Sequence, residues 1–175
     1  YLDVDAEKAQ HKRDDDAAFE RREAELVHDD PKTGIKIYKV HSGQGSCAAA
    51  GADGKDDTNW CTAVRGKHNM FPHYAEEPGR HSFVIHLPGE KGNDQKIGIF
   101  GAIPWDDSSI KNTNFQDKGN NPVSNENWSR LVKKYNLDDV PELQGIRGVG
   151  AKHMDVDKMV KSDDPGRQLA ALRYR

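Results

Sequence analysis

The residues best suited to chemistry lie between positions 58 and 86. This stretch contains Cys61, which directly follows Trp60, and half of the chain's eight histidines. A cysteine acts as a nucleophile in its thiolate form, and a nearby imidazole can lower the thiol pKa or act as the base. The pattern therefore suggests Cys61 as a nucleophile, with His81 or His86 as its base. Such a site would hydrolyse or transfer an acyl or peptide group.

Polar and aromatic side chains around this cysteine are candidates for holding a substrate. In the cysteine hypothesis, Asn69 and Tyr74 position the substrate beside the thiol. Large aromatic residues usually anchor a core, but one that is exposed in a loop is suited to a binding contact. The candidate binding residues are Thr58, Trp60, Arg65 and Trp105.

Three alternatives compete with nucleophilic catalysis. A free cysteine is most often a small buried hydrophobic residue. The cysteine and the histidines could also stabilise the domain through zinc, but no tight ligand pair is present, and His81 and His86 would point to opposite faces of a strand. An ADP-ribosyl-transferase type of site at His41 lacks a later strand carrying a catalytic glutamate. No metal site is assigned, and no cofactor is expected because phosphate-binding glycine motifs are missing.

These residues need a sheet to hold them, and the sequence predicts one. Residues 35–40 alternate apolar and polar side chains, as in a half-buried strand. Residues 80–87 and 95–103 form two further strands, which a short connection makes an antiparallel hairpin. Ser124 caps a helix over residues 128–135. The predicted fold class is α+β, with a small, mostly antiparallel sheet, flanking helices and a short helical C-terminal tail.

The remaining segments are predicted to surround this centre. They divide the chain into an acidic helical arm (1–30), an α+β core domain (31–137) and a linker with a short helical tail (138–175). Within them the sequence predicts a helix over 4–27, a loop or short helix within 41–57, a short helix over 68–74, an irregular loop over 104–124, a linker over 140–150, and helices over 155–161 and 166–173.

Charge and composition exclude several classes of protein. The net charge is −3, and residues 1–30 hold eleven acidic and five basic side chains. No Lys/Arg cluster provides a footprint for nucleic acid, so we expect no nucleic-acid partner. No apolar run approaches the length of a membrane span, so we expect no membrane contact. Two cysteines are too few for a disulfide scaffold, and free thiols are expected.

Three short segments carry a resemblance to a known kind of domain. They are Thr58-Asn59-Trp60-Cys61-Thr62-Ala63, Asn69-Met70-Phe71 followed by Tyr74, and Ser82-Phe83-Val84-Ile85. Together they resemble a Trp-Cys-Thr-motif domain of tailed-bacteriophage and mobile-element proteins, over roughly residues 35–135. Residues 159–171 are similar to one unit of the variant helical repeats of bacterial and phage proteins.

The resemblance implies a biological context more than a chemistry. It implies a phage or prophage product that works in the bacterial host cytoplasm or is carried in the virion, with a phage or host protein as its partner. The expected function is a virion-associated or host-interaction module. A cysteine-nucleophile hydrolase or transferase centred on Cys61 and a zinc-stabilised domain are the alternatives, so the sequence leaves open whether the chain is an enzyme.

Overall fold

A five-stranded antiparallel sheet organises the chain, and the α+β prediction is confirmed. The computed structural model describes residues 4–51, 58, 60–63, 65–75, 79–105, 114–153, 156–161, 163 and 165–173. The strands are β1 (Ala24–Asp29), β2 (Lys36–Val40), β3 (His81–His86), β4 (Lys96–Ala102) and β5 (Asn114–Asp117). The helices are α1 (Val4–Glu20), α2 (Gly43–Ala50), α3 (Phe71–Ala75), α4 (Asn125–Lys134), α5 (Val156–Val160) and α6 (Pro165–Arg173).

The strands lie in the sheet in their chain order, each antiparallel to the next. The predicted hairpin of β3 and β4 is confirmed, with Val84 opposite Gly98 and Ile85 opposite Ile97. A short 3-10 turn over Gly92–Gln95 closes it. None of the described helices is long and apolar enough to cross a membrane.

The two faces of the sheet carry two separate cores. On one face, which we call the α4 face, strand side chains such as Ile37, Ile85 and Ile99 pack against Trp128 and Leu131 of α4. On the other, the α2 face, Val84 and Phe100 pack against Ala49, Trp60 and Phe71. Alternation along each strand sends neighbouring side chains to opposite faces, so a strand of mainly apolar residues such as β3 serves both cores.

The first helix ends earlier than predicted, and β1 follows it. Arg22 has a left-handed backbone (φ 58), its amide donates to the Phe19 carbonyl, and the Glu23 amide donates to the Ala18 carbonyl. These bonds form a Schellman motif, which satisfies the last carbonyls of a helix. The motif usually uses glycine, and here arginine occupies the left-handed position. The prediction of a helix through residue 27 was therefore wrong.

Two segments that the sequence predicts to be irregular belong to the sheet or to its core. The predicted loop over 104–124 contains β5, whose Phe115 packs edge-on against Trp128 with ring centroids 5.0 Å apart. The predicted linker over 140–150 is a series of tight turns that bury apolar side chains three residues apart: Val140, Leu143, Ile146 and Val149. Glycines at positive φ provide the turns between them.

The other predicted elements are found close to their expected positions. Ser124 caps α4 by accepting a hydrogen bond from the Asn127 amide, and Pro165 opens α6. The short helix α3 is present, but Met70 lies before it and is exposed. The division into arm, core domain and tail stays a prediction, although β1 joins the sheet from within the arm and residues 140–149 join the core from within the linker.

A buried carboxylate fastens α4 to the β3–β4 connection. Glu90 accepts hydrogen bonds from Arg130 (2.8 Å), Lys134 (2.6 Å) and the Tyr135 hydroxyl. Burial by itself raises the pKa of this carboxyl, but the three donors together outweigh it and lower the pKa to about 2. Its ordinary value is 4.5, so folding favours the ionised form. The resulting stability is complete above pH 4.5 and is lost as the pH falls towards 2.

Replacing Glu90 by Gln tests this link. We expect Glu90→Gln to lower the free energy of unfolding at pH 7 by about 2 kcal/mol, because three donors lose their charged acceptor. The difference from wild type should shrink as the pH falls towards 2. Denaturant titrations across this pH range measure it, with exposed Glu142→Gln as the control. Equal stability of Glu90→Gln and wild type at pH 7 would contradict the account.

Candidate functional site

Helix α2 lies at the centre of the region singled out by the sequence. Its residues, Gly43–Ala50, are all small except Gln44, and those from Gly45 onward are buried. Ser42 caps its first turn by accepting a hydrogen bond from the Gly45 amide at 2.9 Å. A Cβ atom on Gly45 would lie 2.0 Å from the Glu23 carbonyl oxygen. The helix therefore touches the turn after α1 through bare backbone, which only glycine permits.

Asn69 joins the first turn of α2 to the Trp-Cys-Thr segment. Its amide nitrogen donates to the Gly43 carbonyl (3.1 Å) and the Thr62 carbonyl (2.7 Å), and it lies 3.7 Å from the Cys47 sulfur. Its side-chain oxygen accepts a hydrogen bond from the Phe71 amide. Asn69, which was predicted to position a substrate, thus uses both its amide nitrogen and its side-chain oxygen in hydrogen bonds within the protein.

The other end of α2 is held by two side chains from the sheet. His86 Nε2 lies 2.5 Å from the Ala49 carbonyl oxygen, and Lys96 Nζ donates to the Ala50 carbonyl at 2.6 Å. These carbonyls have no partner within the helix, and the negative end of a helix dipole favours a cation. His86, the predicted base, is placed against helix backbone.

An ion pair ties α1 to the loop after the Trp-Cys-Thr segment. The Arg65 guanidinium binds both carboxylate oxygens of Asp15 at 3.0 Å, and Asp15 is fully buried. Gln44 of α2 also reaches this carboxylate, at 3.5 Å. Burial raises the pKa of Asp15 more strongly than Arg65 lowers it. The predicted binding residue Arg65 is therefore committed to the buried acid.

Among the described side chains, Cys47 contributes a thiol to this layer; it is free and 4% exposed. Burial raises its pKa above the ordinary value of 9.0. A raised pKa keeps the group protonated at neutral pH, and a protonated thiol is a poor nucleophile. Cys47 was predicted to be a free thiol, and it is one. Its buried surroundings are those of a residue that packs in the core.

Trp60 is a core residue that fills the α2 face. It is 2% exposed, its indole nitrogen donates to the Asp117 carbonyl at 2.7 Å, and its ring meets Phe100 edge-on at 5.5 Å. Gly98 of β4 lies beneath both rings, and a Cβ there would lie 3.1 Å from the indole and 2.5 Å from Phe100. The structure therefore gives Trp60 a packing role and leaves none of its surface for a ligand. Thr58 is likewise buried.

The Cys61 side chain lies outside the described residues, so its reactivity and its pairing with His81 or His86 stay predictions. Its backbone forms a 3-10 turn, Cys61–Ala63. Asn69 joins this turn to Gly43, whereas His86 binds Ala49. Gly43 and Ala49 are six positions apart in α2, which corresponds to about 9 Å along its axis.

The remaining candidates lie in other surroundings. His81 is half-buried at the start of β3, where burial, with Lys39 and His41 nearby, lowers its pKa. Tyr74 packs near Phe100, with ring centroids 6.2 Å apart. Trp105 lies against Gly145, whose carbonyl accepts its amide hydrogen at 2.9 Å.

Among the side chains that the structure describes, no group of three or more His, Cys, Asp or Glu residues is placed to hold a metal ion.

No protein-family model matches the chain, and comparisons with curated proteins and with solved structures give no match either. The arrangement in hand is a five-stranded antiparallel sheet with a small-residue helix packed on one face, tied at both ends by polar side chains.

Sequence reasoning missed Asp15 and the importance of Gly45. Asp15 lies in a run of three aspartates, which favours a solvated helix face. One signal was present: Asp15 lies three and four residues before Ala18 and Phe19, so all three share one side of α1. Gly45 carries no local signal, because its role depends on the distant turn that it contacts.

Removing either partner of the Asp15–Arg65 pair tests the link between α1 and the Trp-Cys-Thr segment. We expect Arg65→Ala to lower the free energy of unfolding by about 3 kcal/mol, because it leaves a fully buried carboxylate unpaired. Asp15→Ala should cost less, since Arg65 is 21% exposed and can reach water. The double variant should cost less than the sum of both.

Denaturant unfolding of the four proteins in this cycle measures the coupling. Asp16→Ala is the matched control, because Asp16 is the exposed neighbour of Asp15, and it should change stability by no more than about 0.5 kcal/mol. Strict additivity of the two substitutions would show that the pair does not couple α1 to the loop.

Proposed function

We propose that the chain is a non-catalytic interaction module of a tailed-phage or mobile-element protein, and that it binds a protein partner at the open edge of its sheet. The supporting observation is the position of strand β1 at the edge of the sheet. Among the described residues, β1 has a neighbour only on its β2 side. In an antiparallel ladder, alternate residues of such a strand point their N–H and C=O groups away from the sheet.

The opposite edge of the sheet is less accessible. Gln116 of β5 forms an isolated bridge with Pro122, and the Val123 amide donates to the Phe115 carbonyl at 2.9 Å. The returning chain thus covers the outer side of β5. An incoming strand would therefore add to β1, which makes this the favoured edge for strand addition.

A groove beside β1 suits the side chains of an added strand. Its volume is about 390 Å³, and Leu26 at its rim is 47% exposed. A β-bulge between Leu26 and His28 bends β1, so an incoming strand would pair mainly with the residues before the bulge. The favoured partner is an extended protein segment with an apolar side chain that packs on Phe19 and Leu26. The groove is lined by Phe19, Arg22, Ala24, Glu25 and Leu26.

The structural contacts of three candidate catalytic and binding residues also support a non-catalytic role. Asn69 binds backbone groups and a thiol, His86 binds the end of α2, and Arg65 binds Asp15. Each contact stabilises the layer over the α2 face, so a ligand would have to displace a structural bond. The phage context comes from the resemblance of the Trp-Cys-Thr segment alone.

Complementation of a phage or mobile element lacking this chain tests the proposal. We expect Cys61→Ala to retain wild-type burst size, because no thiol chemistry is needed. Leu26→Asp should reduce the burst size at least tenfold, since it places an unpaired charge in the partner interface. Leu169→Asp is the matched control, because Leu169 is 56% exposed on α6.

Circular dichroism must show that all three variants are folded. Loss of function in folded Cys61→Ala would favour the cysteine-nucleophile hydrolase or transferase instead. Full function of Leu26→Asp would rule out the β1 edge as the binding site. The two parts of the proposal can therefore fail separately.

A further inference from the structure

Arg22 occupies a backbone position that favours glycine, two residues before strand β1. Its φ of 58 lies in the left-handed region, where a residue with a side chain is disfavoured and glycine is not. Its side chain is exposed and lines the groove beside β1. Residues held in unfavourable backbone conformations cluster at sites where their side chains bind something. The position therefore points to a use of the Arg22 guanidinium outside the fold.

The carboxylates that follow Arg22 in the chain have other partners. Arg21 binds the Glu23 carboxylate through two nitrogens, at 2.8 and 3.1 Å. Glu25 lies 3.8 Å from His41 Nε2. Among the residues that the structure describes, no carboxylate forms an ion pair with Arg22. A guanidinium binds a carboxylate through two parallel hydrogen bonds, so a carboxylate is the ligand that best matches this side chain.

The edge of β1 next to Arg22 directs a backbone N–H group away from the sheet. The Glu23 carbonyl accepts a hydrogen bond from the His41 amide at 2.8 Å, so this carbonyl points towards the β2 side. The peptide bond that follows is trans, and the Ala24 N–H therefore points the opposite way, outward from the edge. By the alternation of an antiparallel ladder, Leu26 also directs its N–H and C=O groups outward. Ala24 and Leu26 thus set the register of an added strand.

The direction of an added strand brings its C-terminal end to Arg22. Neighbouring strands of the described sheet are all antiparallel, and antiparallel pairing is slightly the more stable kind. An antiparallel segment on β1 runs from the β-bulge towards Ala24, where β1 begins. Its pairing with β1 ends at this point. A chain terminus that stops there has its carboxylate beside the Ala24 N–H and the Arg22 side chain.

We propose that β1 binds the C-terminal end of a partner protein. The terminal carboxylate accepts a hydrogen bond from the Ala24 N–H and pairs with the Arg22 guanidinium. The last residue lies opposite Ala24. An apolar residue two positions earlier lies opposite Leu26 and packs on Phe19. The inference rests on the proposed function, because it specifies which segment of the partner adds to the β1 edge.

Fluorescence anisotropy with a fluorescein-labelled peptide that ends in Lys-Val-Thr-Val tests the inference. We expect the peptide with a free C-terminus to bind at least tenfold more tightly than the same peptide with a C-terminal amide, because the amide removes the charged acceptor. Arg22→Gln should weaken binding of the free-acid peptide by about tenfold and leave binding of the amide peptide unchanged. Arg13→Gln on the exposed side of α1 is the matched control and should change neither.

Arg22→Gly separates binding from folding. Glycine adopts the left-handed conformation freely, so this variant should unfold at a higher denaturant concentration than wild type while losing its preference for the free carboxylate. Equal binding of the two peptides, with both lost in Leu26→Asp, would overturn the carboxylate site and leave the β1 edge in place. The absence of saturable binding of either peptide would also overturn the inference, whereas complementation tests the proposed function independently.

Discussion

The contact between Gly45 of α2 and the Glu23 carbonyl is the constraint on which the layer over the α2 face depends. A helix can approach another backbone this closely only where it has no side chain. The approach buries α2 and brings Gly43 within reach of Asn69. It also presents the last carbonyls of the helix to His86 and Lys96. The short helix is thus positioned by the absence of a side chain at Gly45 and secured by polar contacts at its two ends.

This arrangement gives the Trp-Cys-Thr segment a physical role. Trp60 fills the space above Gly98, the turn after it offers the Thr62 carbonyl to Asn69, and Arg65 neutralises Asp15. The polar residues that suggested a functional site, such as Asn69 and Arg65, make the hydrogen bonds that hold α2 and the Trp-Cys-Thr segment against the sheet. Buried amide, imidazole and guanidinium groups require partners, and here the fold supplies them. Two concave surfaces formed by described residues lie elsewhere, one beside β1 and one beside α4.

The main sheet could be predicted from the sequence because its strands have clear signals. Ile35–Val40 alternates apolar and polar residues, and the β3–β4 hairpin combines apolar runs with a short Gly-rich connection. The missed elements lack such signals. β1 follows a helix that ends on Arg22 rather than on glycine, and β5 contains Phe115 as its one apolar residue. The segment with Val140, Leu143, Ile146 and Val149 looks like a linker because its turns need Pro and Gly.

The candidate site was harder to predict because its geometry depends on long-range contacts. Asp15 and Arg65 are fifty residues apart, and Asn69 and Gly43 are twenty-six apart. Residue type alone marked Asn69, Arg65 and His86 as candidate site residues. What each one binds is decided by tertiary packing, which places Asn69 at the first turn of α2 and His86 at its last.

The stability of Gly45→Ala tests the central claim most directly, because helix propensity and packing predict opposite signs. Propensity alone predicts stabilisation by up to about 1 kcal/mol. The contact with Glu23 predicts destabilisation by about 2 kcal/mol or more, because the new methyl group forces two backbone segments apart. Gly166→Ala in α6 is the control for propensity. A lower free energy of unfolding for Gly45→Ala in denaturant titration is the predicted result. An unchanged or higher value would contradict the account of how α2 is held.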